Sequence, residues 1–141
     1  MEKIVIKGRR CSKGVAQGEA VVSYNDALAM GADIDRETGL VIAPRHELLG
    51  KVVGGKILVF PTGRGSTADP WGFYWLMKIG KAPKAIINIK ANPTTVAGAI
   101  ISGIPMIHEL DKNPLEVIET GDIVCLDANK GIVEVIKVKK S

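Results

Sequence analysis

The chain has 141 residues, of which 46% are apolar and 24% charged. This is the balance of a folded globular protein and excludes a disordered tract; the length predicts one domain over residues 1–141 with a sizeable core. The net charge of +4 is scattered, apart from Lys7-Gly8-Arg9-Arg10 and the stretch Lys137 to Lys140, and is not interleaved with aromatics. That pattern reads first as solvated termini; among partners it argues against nucleic acid and for an anionic small molecule or an acidic protein.

Ile4 to Lys7 reads as a short strand with no signal-peptide core behind it. Gly8 to Gly18 reads as loop, and Glu19 to Tyr24 as a second strand. Residues 25–55 are punctuated by Gly31, Gly39, Gly50, Gly54 and Gly55, which suits turns and short β pieces, one of them at Leu40 to Ala43. Ile57 to Phe60 is a continuous apolar run, the mark of a strand covered on both faces. Asp69-Pro70 reads as an N-cap and first-turn pair for a helix from Pro70 to about Ile79, stopped by Gly80.

Ala85 to Ile89 is a further buried strand. Pro93 to Ser102 predicts a second helix, ended by Gly103, and Ile104 to Ile107 a third short strand. Asp122 to Asp127 and Ile132 to Val138 flank Ala128-Asn129-Lys130-Gly131 and read as a hairpin. The fold class is therefore α/β: a central βαβαβ unit with a partly parallel sheet, flanked by β segments and closed by a C-terminal hairpin. The most apolar stretch, residues 85–107, is interrupted by Lys90, Asn92, Pro93 and Pro105, so no membrane span is expected. Cys11 and Cys125 fit no metal-ligand spacing; Cys125 reads as core and Cys11 as a free thiol in a loop. The expectation is a cytoplasmic protein that holds no metal of its own.

Two nucleotide motifs are decoys. Gly50-Lys51-Val52-Val53-Gly54-Gly55-Lys56 begins like a phosphate-binding P-loop, but Ile57 stands where Ser or Thr is needed and a strand follows. Gly63-Arg64-Gly65-Ser66-Thr67-Ala68 fits a dinucleotide pattern between strand and helix. The next strand, however, carries Asn88 and Lys90 where an acid should hold a ribose.

What remains is a glycine-rich loop opening onto a helix N-terminus, a natural place for an anion. Gly63 and Gly65 permit close approach, and Arg64 offers a fork for carboxylate or phosphate. The residues leave two roles open for Ser66 and Thr67. They cap the helix, or Ser66 abstracts a proton in a field that lowers the cost of its alkoxide. No acid or histidine lies beside Ser66 in sequence, and His46, His108, Asp69, Asp111 and Asp122 read as turn, surface or cap residues. A loop so short of catalytic groups suggests half a site, completed by another chain. The aromatic group Trp71, Phe73, Tyr74 and Trp75 is left as either core or partner interface.

The segments Gly14 to Ser23, Asp35-Arg36-Glu37-Thr38-Gly39, Gly55 to Thr67, Gly80 to Ile87 and Gly103-Ile104-Pro105-Met106, in that order, resemble the aconitase X swivel-domain family. The resemblance implies a swivelling β/β/α domain like the small mobile domain of aconitase (its domain 4). It implies a heterodimer with a large catalytic subunit that carries a [4Fe-4S] cluster, this chain binding no cofactor. It implies dehydration of (R)-5-phosphomevalonate to trans-anhydromevalonate 5-phosphate on a mevalonate route to isoprenoids. It places the catalytic base on Ser66 and lines the substrate with Gly63, Arg64, Gly65 and Thr67. Ala68-Asp69-Pro70-Trp71-Gly72-Phe73 is bulkier than the small residues that often follow this motif in the family. Two alternatives therefore stand beside this one: another hydroxy acid such as a hydroxyproline as substrate, or a non-catalytic module that closes over a partner's site.

Overall fold

The computed structural model describes residues 2–65 and 67–138. Its elements run β1 (Lys3–Lys7), β2 (Arg9–Ser12), β3 (Val15–Val22), β4 (Ile57–Phe60), α1 (Asp69–Lys78), β5 (Ala85–Asn88), α2 (Pro93–Ser102), β6 (Met106–His108), α3 (Pro114–Val117), β7 (Ile123–Asp127) and β8 (Ile132–Ile136). The strands line up as β1-β8-β7-β3-β4-β5-β6-β2.

The βαβαβ centre forms as expected. The apolar runs of β4 and β5 are buried at every position and pair in parallel, Ile57 opposite Ala85, and β5 pairs in parallel with β6. The hairpin also forms, with Asp127 opposite Ile132. Alternation along the parallel strands sends side chains to two cores. Leu58, Phe60, Ile86 and Met106 pack beneath the helical layer with Phe73, Leu76 and Ala99. Ile57, Val59, Ala85, Ile87 and Ile107 face the other way, against Val124, Leu126, Val133 and Val135 of the hairpin. The result is three layers, an antiparallel sheet, a mixed sheet and helices, which is the β/β/α arrangement.

β3 joins the two sheets. Its first half pairs antiparallel with β7 and its last three residues pair in parallel with β4. At the other end Gly8 turns the corner. β1 and β2 lie at opposite ends of the strand order yet are separated by this single residue, so the sheet must curl until its ends meet. The Gly8 N–H donates to the Gly131 carbonyl at 2.9 Å, and a Cβ on Gly8 would lie 2.7 Å from the His108 carbonyl oxygen.

Several expectations are corrected. Gly8 to Gly18 is not a loop but holds β2 and the start of β3. Arg9, Arg10, Cys11 and Ser12 carry no apolar alternation because only Ser12 is buried. Leu40 to Ala43 forms isolated bridges, Ile34 with Val41 and Leu40 with Val52, rather than a strand. Asp69 is not a cap: α1 starts one residue earlier than expected, with Ala68 at the N-cap and Asp69 fully buried. The short helix α3 was not expected. Cys125 is half-buried on the outer face of β7 rather than in the core, and Cys11 lies in β2 rather than a loop. Of the aromatics, Phe73 is core, whereas Trp71 is 70% exposed. Of the C-terminal lysines, Lys139 and Lys140 lie outside the described residues. No helix among the described residues is long and apolar enough to cross a membrane.

The hairpin is locked at its end by Asp122. This buried carboxylate accepts from Lys137 Nζ at 2.5 Å and from the Glu119 N–H at 2.8 Å. Burial alone would push its pKa up; the bonds from Lys137, Glu119 and Val138 outweigh that and hold it below the ordinary value. A carboxylate depressed in the fold stabilises above its unfolded pKa, about 3.9, and loses that contribution as pH falls through the lower folded value. Lys137→Met should therefore cost about 1–3 kcal/mol at neutral pH. Thermal unfolding across pH should show the gap to wild type closing as Asp122 protonates; a gap independent of pH contradicts the assignment.

Candidate active site

β4, β5 and β6 end at one edge of the mixed sheet, and the loops that leave them gather there. In open α/β sheets this carboxyl edge is where ligands bind. The loop after β4 stays against the sheet because the Pro61 carbonyl accepts from the Ile89 N–H at 3.0 Å. It then forms one more rung. The Leu28 N–H donates to the Thr62 carbonyl and the Arg64 N–H to the Leu28 carbonyl, at 3.3 and 3.2 Å, making a parallel bridge between Leu28 and Gly63.

Opposite this rung lies the start of α2. A Cβ on Gly63 would fall 1.9 Å from Thr95 Oγ1, and one on Gly65 would meet the Asn92 side-chain amide at 2.7–3.0 Å. Gly65 also has φ +70°, a left-handed conformation that other residues rarely adopt. The loop is thus wedged between the segment 28–31 and Asn92–Thr95. Asn92 serves both sides of this wedge, since its Oδ1 caps α2 by accepting from the Thr94 N–H at 2.9 Å.

Arg64 turns to a carboxylate that the sequence pattern did not disclose. Its Nη2 lies 2.5 Å from Asp33 Oδ1; Asp33 is buried, while the arginine side chain is 50% exposed. Asp33 Oδ2 accepts from the Ala29 N–H at 2.8 Å. A second buried acid, Asp69, accepts from the Gly31 N–H at 3.1 Å and from Thr95 Oγ1 at 3.3 Å. Burial pushes its pKa up, with the Asp33 charge adding to the rise and the hydrogen bonds opposing it. Beneath the loop, Asn88 is fully buried and donates through Nδ2 to the Phe60 carbonyl at 3.0 Å, while its Oδ1 has no partner.

Of the expected site residues, Gly63, Arg64, Gly65 and Thr67 lie on the loop that leaves β4 at the carboxyl edge. Ser66, between Gly65 and Thr67 in the chain, lies outside the described residues. The hydrogen bonds of the two histidines go to other residues. His46 is buried in its own turn, with Nε2 3.0 Å from the Ala27 carbonyl oxygen and Nδ1 accepting from the Leu48 N–H. His108 Nδ1 accepts from the Ala91 N–H at 2.9 Å. Asp33 and Thr95 escaped sequence reading, and Asp69 and Asn88 were read only as a cap and a strand residue, because their contacts around the loop come from the fold rather than from a local pattern. Beside Thr67 lies an apolar concavity of about 270 Å³ lined by Pro70, Trp71, Tyr74 and Ile101.

No group of three metal-ligating side chains occurs among the described residues. Burial, and then the Glu109 charge, pushes the Cys11 thiol up to about 11, which disfavours the thiolate that a metal needs. The two cysteines do not fit an iron–sulfur cluster, which takes several thiolates together. The site offers the half-exposed Arg64 guanidinium, a group suited to anions, on a loop wedged against α2.

A family model described as the aconitase X swivel domain matches residues 5–135. The chain is 50% identical over 129 residues to the phosphomevalonate dehydratase small subunit of Methanocella arvoryzae, covering 92% of this chain and 97% of that one. It is 43% identical over 141 residues to the protein of the same name from Methanosarcina acetivorans, covering 100% of this chain and 97% of that one. The crystal structure of Thermococcus kodakaraensis aconitase X in its holo-form superposes with a TM-score of 0.88 at 41% identity, over 95% of this chain and 99% of that one.

The wedge makes a direct prediction. Gly63→Ala should lower stability by about 1–3 kcal/mol, the range for forcing extra volume into a packed site. Adding Thr95→Ala removes the clashing hydroxyl and should recover part of the loss. Thermal denaturation of the three proteins checks this; a melting temperature unchanged in Gly63→Ala contradicts the close approach.

Proposed function

The chain belongs to the aconitase X swivel-domain family, and from that premise we propose that it is the small subunit of a two-chain cytoplasmic hydro-lyase acting on (R)-5-phosphomevalonate. In this reading the chain acts as one swivel domain, and Ser66 is the proton acceptor. The observation that carries the reading is the match over nearly the whole chain to proteins named phosphomevalonate dehydratase small subunit, whose name implies a larger partner for them.

The reaction removes a proton from the carbon next to the carboxylate and hydroxide from the neighbouring carbon. The C–H pair becomes the new C=C bond, and the product is trans-anhydromevalonate 5-phosphate with one water. Ser66 takes that proton. Arg64 binds an anionic group of the substrate through the part of its guanidinium that Asp33 leaves exposed. Gly63, Gly65 and Thr67 line the substrate, the glycines letting it approach the backbone. The wedge between Leu28 and Thr95 holds these groups in place before substrate arrives, which is the condition for positioning to speed a reaction.

The departure of hydroxide needs an acid, and no cluster of side chains that could hold a Lewis-acidic ion occurs among the described residues. We assign it to the large subunit, together with the iron–sulfur cluster. The exposed Trp71 and Ile101, which border the concavity beside Thr67, face that partner in the same reading.

The test is anaerobic co-expression of both subunits and assay with (R)-5-phosphomevalonate. Ser66→Ala should cut kcat by roughly a hundredfold to ten-thousandfold, the usual contribution of a positioned base, with the heterodimer intact. Undiminished turnover in the variant removes Ser66 from the role; an inert wild-type pair removes the substrate.

A further inference from the structure

We propose that Asp33 is a positioning residue for this reaction: it fixes one edge of the Arg64 guanidinium so that the other edge is presented to an anionic group of the substrate. The inference rests on the proposed function and adds to it a residue outside the loop, thirty-one positions away in the chain.

Both ends of the arginine are tied to one short segment. Its backbone N–H donates to the Leu28 carbonyl at 3.2 Å, and its Nη2 lies 2.5 Å from Asp33 Oδ1. Asp33 cannot follow a moving arginine. Its Oδ2 accepts from the Ala29 N–H at 2.8 Å, its own N–H donates to the Ala29 carbonyl at 2.8 Å, and its carbonyl accepts from the Ile42 N–H at 2.7 Å. A buried carboxylate that lost its cation would be strongly destabilised, so the pair is kept.

A guanidinium carries five N–H donors in a rigid fork, and the contact with Asp33 engages one edge of it. The rest belongs to a side chain that remains half exposed at the carboxyl edge of the strands. An arginine free in solution loses side-chain entropy when it grips a ligand. Here the rotamer is set in advance, so binding of a carboxylate or phosphate orders less. Asp33 also lies near enough to Asp69 for its charge to act there, so the two acids and the arginine form one electrostatic unit behind the loop.

A purely structural clip and a positioning role differ in how the two residues combine. Four versions of the two-chain enzyme, wild type, Asp33→Asn, Arg64→Ala and the double variant, are compared for KM and kcat with (R)-5-phosphomevalonate. Asp33→Asn should raise KM about tenfold or more, with a smaller change in kcat, the pattern of lost ground-state binding to a charged group. The double variant should be no worse than Arg64→Ala, because the aspartate acts through the arginine. Effects that multiply, or an unchanged KM in Asp33→Asn, overturn the proposal.

Should Asp33→Asn fail to fold, Arg64→Lys decides instead: it keeps the charge but loses the fork and should raise KM as Arg64→Ala does, and a wild-type KM overturns the proposal. An inert wild-type pair would defeat the functional reading separately. The proposal is then judged by inorganic phosphate titrated into the small subunit while the Gly63 and Gly65 amide NMR signals are followed. Binding at least about tenfold weaker in Asp33→Asn supports it; no binding to wild type, or equal affinity in both, overturns it.

Discussion

The close approach of the Gly63 backbone to Thr95 is the constraint on which the rest of the site depends. With 1.9 Å between a hypothetical Cβ and Thr95 Oγ1, no side chain fits at this position unless Thr95 gives way. From Gly63 the contacts run in a ring. Gly63 bridges to Leu28, the segment after Leu28 brings Gly31 to Asp69, Asp69 takes the Thr95 hydroxyl, and Thr95 closes back on Gly63. Two helices, one strand end and the long excursion between β3 and β4 meet in that ring. A shift in any one of them moves Arg64 and the residues that flank Ser66. Such a loop is held by packing rather than by its own sequence, which is what a preorganised binding surface requires.

The ring sits on a frame that resists deformation. The sheet curls until β1 and β2 meet at Gly8, and β3 belongs to both the antiparallel and the parallel half, so the strand ends carrying the loops are fixed on either side. The loop itself is open outward, with half-exposed Arg64 on it and exposed Trp71 next to it. His46 is engaged in its own turn, His108 at the end of β6 accepts from the Ala91 N–H, and the Cys11 thiol is pushed toward its neutral form. A loop wedged against α2 with a half-exposed arginine fits the proposed role of the chain as half of a reaction chamber.

The parts of this architecture that were legible from sequence are those written in local periodicity. Ile57 to Phe60 and Ala85 to Asn88 are apolar at nearly every position because both faces are covered. Pro93 to Ser102 is bracketed by Asn92 and Gly103, which prove to be its caps. β2 was not legible because a charged strand with one buried residue has no alternation to read. Asp69 was misread because Asp-Pro is the usual opening of a helix, whereas here tertiary contacts with Gly31 and Thr95 draw the aspartate inward and leave the cap to Ala68. The anion-binding role proposed for the Gly63–Gly65 loop could be argued from its residue types. Its dependence on Asp33, Asn92 and Thr95 could not, since those contacts exist only once the strands have brought distant segments together.

The account turns on the loop after β4 being one wall of a chamber that the large subunit completes. Hydrogen–deuterium exchange of the small subunit, alone and then with the large subunit and (R)-5-phosphomevalonate, addresses this most directly. The account predicts new protection concentrated in residues 62–72, including the amides around Ser66 and the start of α1, with little change in the β7–β8 hairpin. Protection confined to the hairpin, with exchange in 62–72 unaltered, would contradict it.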